Sequence, residues 1–402
     1  MASQGEILFL VHRIPFPPDR GDKIRSYNML KAMADIAPVH VGCFADDARD
    51  MGFADEMAEV TASQYVTMRA RSKPVAGING LLRGLPILVA MYEKPELHDW
   101  VQGVLATRPI RAIVAYSVQM AHYVPHILPM GSRFMMDFVD FDSAKYAAYG
   151  AQQSGAMGLV HRREGQVLLD FEREVACRAD ISTFVSEAEA QLFARTADVQ
   201  DQHICALENG VNLQYFNVQS NFSEIDYKEK PLLVFTGQMD YRPNIEAVES
   251  FVYEALPIIR AKYENASFAI VGRNPAPQVT TLAKRPGVIV TGDVPDVRGW
   301  LAAADVVVAP LRIARGIQNK VLEAMAMARP VVASPQAAEG IDATNGEHFI
   351  VANDPQAEAE AVRVLLENPA QAAALGQAAR ARMEARYDWA ATLAPLRKML
   401  FG

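Results

Sequence analysis

Short apolar runs recur along this chain at spacings that leave room for at least one helix between each and the next. Residues 7–11, 39–44, 113–115, 134–138 and 181–185 are such runs, the length of buried strands. Residues 24–34, 95–106 and 165–178 carry apolar positions at helical spacing, and residues 187–194 open a further helix with Ser186 as its N-cap. A polar stretch at 219–230 reads as a linker, after which the alternation restarts. Residues 232–236, 269–271, 288–291, 306–309 and 331–333 read as strands, separated by helical segments such as 244–259. Strand–helix alternation builds a mostly parallel sheet with helices on both faces. Occurring twice, it predicts an α/β fold of two Rossmann-like, doubly wound domains facing a central cleft. The domains read as 1–218 and 219–385, with residues 386–402 as a helix crossing back to the first.

At 402 residues the chain is long enough for two such domains, and with half of its residues hydrophobic and 21% charged it reads as a soluble globular protein. A net charge of -8 argues against nucleic acid as a partner. Cys43, Cys177 and Cys205 are scattered, with no CxxC pair, so they read as buried reduced thiols rather than as a disulfide or zinc framework. The run at 7–11 is too short for a signal segment, and no stretch approaches the roughly 18 apolar residues of a membrane span. A cytoplasmic protein is therefore expected. Residues 67–92 hold Arg69, Arg71, Lys73 and Arg83 among leucines and glycines, with no Asp or Glu. That mixture suits peripheral docking on an anionic membrane face, or an ordinary core-packing helix with a basic outer side.

Four segments carry chemistry. The first is the loop from Arg315 into a helix that continues to the strand at 331–333. It joins a strand's carboxyl end to a helix's amino end, where open α/β sheets bind ligands and free N–H groups favour anions. Gly316, Ile317, Gln318 and Asn319 would present those groups, while Lys320 and Glu323 share one helix face. A cation for phosphate beside a carboxylate for sugar hydroxyls suits a nucleotide sugar. The second follows the first strand, with His12, Arg13, Arg20, Gly21, Lys23 and Arg25. Positive charge at a helix start reads as an anion or acceptor site, since burial for structure alone would be costly; a solvated basic turn is the plainer reading. The third runs from Gly237 to Asn244, where Pro243 suits a helix's first turn and Arg242 could reach a phosphate. In the fourth, Asp137, Asp140 and Asp142 punctuate an apolar strand end. Asp140 and Asp142 are candidates for contacting sugar hydroxyls, or else Asp142 or Ser143 caps the next helix. His122 and His126 read as satisfied structural histidines.

Taken in order, these segments resemble the retaining glycosyltransferases of family four, with their two-domain GT-B fold. The resemblance rests on Gly21, Val185-Ser186, Glu208-Asn209-Gly210-Val211-Asn212 with Phe216, Gly237, Ile270-Val271-Gly272, Val290-Thr291-Gly292 and the run from Gly316 to Ser334. It spans nearly the whole chain and is nearest to sugar transferases of bacterial exopolysaccharide and PEP-CTERM protein-sorting gene clusters. It implies that Gly21, Gly237, Gly272 and Gly292 line a donor site for a nucleotide-diphosphate sugar. It also implies a glycan or polyprenyl-linked acceptor, and neither a cofactor nor a metal. The family's Glu-x7-Glu motif places Glu323 on the nucleotide ribose but finds Arg315 where the first acid belongs. Gln238 and Pro243 stand at the family's diphosphate-clamping positions, so Arg242, Arg315 and Lys320 are the substitute cations and Arg315 joins Asp140 and Asp142 as a catalytic candidate. Two other readings stay open: a non-catalytic binding protein of the same build, and a nucleotide-sugar epimerase.

Overall fold

A computed structural model describes residues 5–69, 77, 80, 82–199, 203–225, 227, 229–314 and 317–402. Arg315, Gly316, Arg71 and Lys73 lie outside them. The chain divides into two compact units, one of Met1–Glu208 with Leu393–Gly402, the other of Asn209–Thr392.

In the first unit β1 (Glu6–Val11), β2 (Val39–Ala45), β3 (Ser63–Met68), β4 (Ile110–Tyr116), β5 (Arg133–Val139), β6 (Ile181–Phe184) and β7 (Ile204–Ala206) form one sheet in the order β3-β2-β1-β4-β5-β6-β7. Every neighbouring pair is parallel. Helices on both faces leave β2 wholly buried, which is why it reads as an apolar run broken only by His40. In the second unit β8 (Leu232–Thr236), β9 (Ser267–Val271), β10 (Val288–Gly292), β11 (Val306–Ala309), β12 (Val331–Ala333) and β13 (Ile350–Val351) follow the order β10-β9-β8-β11-β12-β13, again all parallel. In each sheet the order reverses beside the unit's first strand, between β1 and β4 and between β8 and β11. Those are the two switch points where a doubly wound sheet opens a ligand crevice at its carboxyl edge.

The division falls earlier than the polar stretch at 219–230. Val211 and Phe216 belong to the second unit's core, and the Val211 N–H donates to the Tyr387 carbonyl at 2.7 Å. Residues 209–218, read as part of the first domain, are therefore in the second unit. The carboxyl-terminal return also starts later than residue 386. Tyr387 is fully buried in the second unit, and the return to the first begins at Leu393, with the helix Leu396–Phe401 packed against β4 and β5. The expected helix at 244–259 is in fact Arg242–Ser250, a π turn at Phe251–Ala255, and Leu256–Lys262. Pro257 has no N–H to donate, so the ladder widens there. The helical stretch at 356–385 is likewise two helices, Pro355–Glu367 and Pro369–Arg386, parted before Pro369. Of the cysteines only Cys43 is buried, and burial pushes its thiol pKa well above the usual value; Cys177 is exposed and Cys205 half-buried.

Candidate active site

The second unit's switch point is built on two glycines. Gly237 follows β8 with φ 158° and donates its N–H to the Val271 carbonyl at 3.0 Å; Gly272 follows β9 with φ 152°. A Cβ on Gly272 would stand 1.7 Å from the Gly237 carbonyl oxygen, so only glycine lets the two strand ends touch. A Cβ on Gly237 would meet Asn244 Nδ2 at 2.9 Å and Lys320 Nζ at 3.2 Å, so both side chains converge on that turn. Asn244 is buried, and its Nδ2 donates to the Gln238 carbonyl at 2.8 Å. Its Oδ1 accepts from Lys320 Nζ at 2.5 Å, and the same ammonium lies 4.5 Å from the Phe235 ring centroid.

Lys320 sits in the first turn of the eight-residue helix Asn319–Ala326, whose N-cap is Gln318. Its side chain keeps some surface open, yet protein surrounds it closely enough to lower its pKa to about 7, against the opposing pull of Glu323. Glu323 lies one turn along the same face. Burial raises its pKa to about 7, with Lys320 opposing. Among the described residues nothing donates a hydrogen bond to the Glu323 carboxylate. Asn319 Oδ1 accepts from Asn209 Nδ2 at 3.3 Å, and the Thr236 hydroxyl is buried with no partner among the described residues. The arrangement therefore offers a part-desolvated cation, a poised carboxylate and a helix start at one sheet edge. An anion with an attached polyol matches it.

Other donor candidates are placed differently. The Ile317 side chain is in the hydrophobic core, leaving only its backbone for a ligand. Gly292, φ 68°, ends the edge strand β10, two strands from β8. Arg242 is exposed and pairs along its own helix with Glu246 at 2.7 Å, whereas Asn244 is the residue that bonds Lys320. Asn244, which sequence reasoning passed over, takes that place. The signal was present, since an amide is the side chain that can accept from an ammonium while donating to a carbonyl.

The cations of the first unit's basic loop are paired with carboxylates. Lys23 and Arg25 are buried, and each holds a carboxylate. Lys23 Nζ donates to Asp50 Oδ1 at 2.6 Å, and Arg25 grips Asp137 with Nε at 2.9 Å and Nη2 at 3.1 Å. Arg13 bonds Asp22 at 2.6 Å and Asp46 at 2.7 Å, while Arg20 reaches Asp46 at 2.8 Å. The structural role that looked too costly is met by paired carboxylates. His12 is buried against Tyr116, with ring centroids 5.7 Å apart and planes nearly parallel. Burial lowers its pKa, opposed by its contact with Asp22. The helix Gly21–Ala34 starts at the exposed Gly21.

At the end of β5, Asp140 is half-buried and no described residue donates a hydrogen bond to its carboxylate. Burial raises its pKa to about 6, with Lys145 opposing and Asp142 reinforcing the rise. Asp142 does not cap the helix Asp142–Gln152; it opens it and lies 3.5 Å from Lys145. Ser143 does not cap it either, because its hydroxyl donates to the buried Glu172 at 2.5 Å. Burial raises the Glu172 pKa to about 8. His122 packs edge-on against His98 and, with the exposed His126, lines a cavity of about 260 Å³.

Residues 230–368 match the family model described as Glycosyl transferases group 1. A phosphatidyl-myo-inositol mannosyltransferase from Propionibacterium freudenreichii subsp. shermanii is 29% identical over 190 residues, 45% of this chain and 46% of that one. The match thus spans less than half of that relative. Among solved structures, a sucrose-phosphate synthase from Thermosynechococcus elongatus has a TM-score of 0.70 at 17% identity, with 98% of each chain covered. The Anabaena protein HepE, solved in complex with UDP-glucose, has a TM-score of 0.68 at 16% identity, again with 98% of each chain covered. At such identities the likeness is one of fold. The two Rossmann-like units have the fold of the GT-B glycosyltransferases, and residues 230–368 resemble a group 1 glycosyltransferase domain.

Proposed function

We propose that this chain is a retaining glycosyltransferase of family four. It moves a sugar from a nucleotide-diphosphate donor to a glycan or polyprenyl-linked acceptor, in exopolysaccharide or other cell-surface glycan assembly. The observation that carries this reading is the convergence of Lys320 and Asn244 on the Gly237 turn, with Glu323 one turn along the same helix face. A departing nucleotide diphosphate gathers negative charge as the anomeric bond breaks. Donors fixed in place before the reaction stabilise that charge without reorganising. Lys320 and the N–H groups at the start of Asn319–Ala326 supply them, Glu323 holds ribose hydroxyls, and Asp140 meets a sugar hydroxyl. Arg315, outside the described residues, is the further cation for the diphosphate. The reaction needs no metal on this reading, so EDTA leaves transfer intact.

The Anabaena protein's complex makes UDP-glucose the first donor to try, and the mannosyltransferase's name makes a lipid acceptor the first of its class. We place the protein in the cytoplasm at the inner membrane face, docked through residues 67–92, where Leu82 is 80% exposed. None of the helices among the described residues is long and apolar enough to cross a membrane. Incubation with UDP-, GDP- and ADP-sugars and a panel of acceptors tests the reading. Transfer with the anomeric configuration kept supports it. Sugar inversion without an acceptor, or binding without turnover, overturns it in favour of an epimerase or a binding protein.

A further inference from the structure

Two residues that are not glycine stand in the left-handed backbone region at neighbouring strand ends. Ser117, just after β4, and Val139, the last residue of β5, both have φ 71°. For a β-branched residue this is a strained conformation. At Val139 the strain closes a three-residue turn, since the Asp140 N–H donates to the Phe138 carbonyl at 3.0 Å. A γ-turn of this sign is rare and unfavourable by itself, so its surroundings must hold it. On one side the Val139 carbonyl accepts from the Val185 N–H at 2.9 Å, and the β5–β6 register shifts between Asp137 and Val139.

The other restraint is Asp137. Its carbonyl accepts from the N–H of Ser117 at 2.7 Å, which ties the two strained strand ends together. Its carboxylate, with no exposed surface, is held by both guanidinium bonds of Arg25 and by the Thr183 hydroxyl at 3.0 Å. Breaking one partner of such a pair leaves a buried charge uncompensated. One residue beyond the strained Val139, Asp140 carries at the carboxyl edge of the sheet a carboxylate to which no described residue donates a hydrogen bond.

We propose that Arg25 and Asp137 are positioning residues that hold the strained turn at Val139, and through it aim the Asp140 carboxylate at a substrate hydroxyl. The proposal rests on the glycosyltransferase reading above. It sets Arg25 apart from Arg13 and Arg20 of the basic loop, because Arg25 reaches inward to hold a carboxylate on another strand. The charged groups bearing on Asp140 are Lys145 and Asp142 of the next helix, Arg25 from Gly21–Ala34, and Asp137 on its own strand.

A double-mutant cycle tests it in the full chain, reading steady-state sugar transfer and, separately, amide hydrogen exchange of residues 137–141. Arg25→Lys keeps the charge but loses the two-pronged grip. It should lower kcat about tenfold with donor KM unchanged, and speed exchange at the turn. Val139→Gly removes the strain to be restrained, so in that background Arg25→Lys should change kcat and exchange less than about twofold. Additive effects, or an Arg25→Lys protein that loses thermal stability yet keeps wild-type kcat and exchange, overturn the proposal. If Arg25→Lys does not fold, Thr183→Val replaces it in the cycle with the same expected coupling. A wild-type protein without transfer activity would count against the glycosyltransferase reading instead, and the exchange cycle would still decide whether the pair holds the turn.

Discussion

A buried ammonium keeps its proton only when something nearby shares its charge. Lys320 has the Asn244 amide oxygen, the Phe235 ring and Glu323, and with these burial still brings it to about 7. A diphosphate arriving beside it favours the protonated form. Donor binding should therefore take up a proton, and its affinity should fall as pH rises above about 7, approaching tenfold per pH unit. Calorimetry across that range checks this. A donor Kd that stays level up to pH about 9 would contradict it, and Lys320→Ala should remove the pH dependence along with at least about tenfold in affinity. Reading the sequence placed Lys320 and Glu323 on one face because three-residue spacing is local. It could not place Arg25 or Lys23, whose partners Asp137 and Asp50 lie 112 and 27 residues away. Nor could it choose Asn244 over Arg242, because both stand at the same helix start and only the fold shows which one turns inward.

Glycines that look alike in sequence differ in what the strand ends require of them. Gly272 stands at the β8–β9 contact, where a methyl group would overlap the Gly237 carbonyl; Gly292 has φ 68° but nothing within 4 Å of the position a Cβ would take. Gly272→Ala should thus lower stability by about 3 kcal/mol or more, combining overpacking with backbone strain. Gly292→Ala should cost about 1 kcal/mol, from its positive φ alone. Chemical denaturation of the two variants checks the ranking, and equal losses would show that the strand contact is not tight. The buried strands were legible because strands covered on both faces read as continuous apolar runs. β3, β7 and β13 were not: β3 is largely half-buried, and β7 and β13 span three and two residues. The π turn before Pro257 was hidden because helical spacing persists through it.

The chain is two doubly wound units, and the proposed donor site lies in the unit spanning Asn209–Thr392, which contains the whole matched glycosyltransferase region. The alternation of strands and helices made that class legible from sequence. The ordered set of weak motifs pointed to the same fold, which the solved structures share across 98% of the chain. Where one unit yields to the next was less legible, because the polar stretch at 219–230 looks like a linker yet follows residues already packed in the second core. A ligand that binds only the folded protein stabilises it by about 2.7 kcal/mol at a hundred times its Kd. The matching nucleotide sugar should therefore raise the melting temperature of the whole chain, and sugars on other bases should not. The most direct test of the account is calorimetric titration of that donor into the wild-type protein and into Glu323→Ala. The account predicts one donor site in the wild type and at least about tenfold weaker binding in the variant, with its fold intact. Equal donor affinity in the two proteins would contradict it.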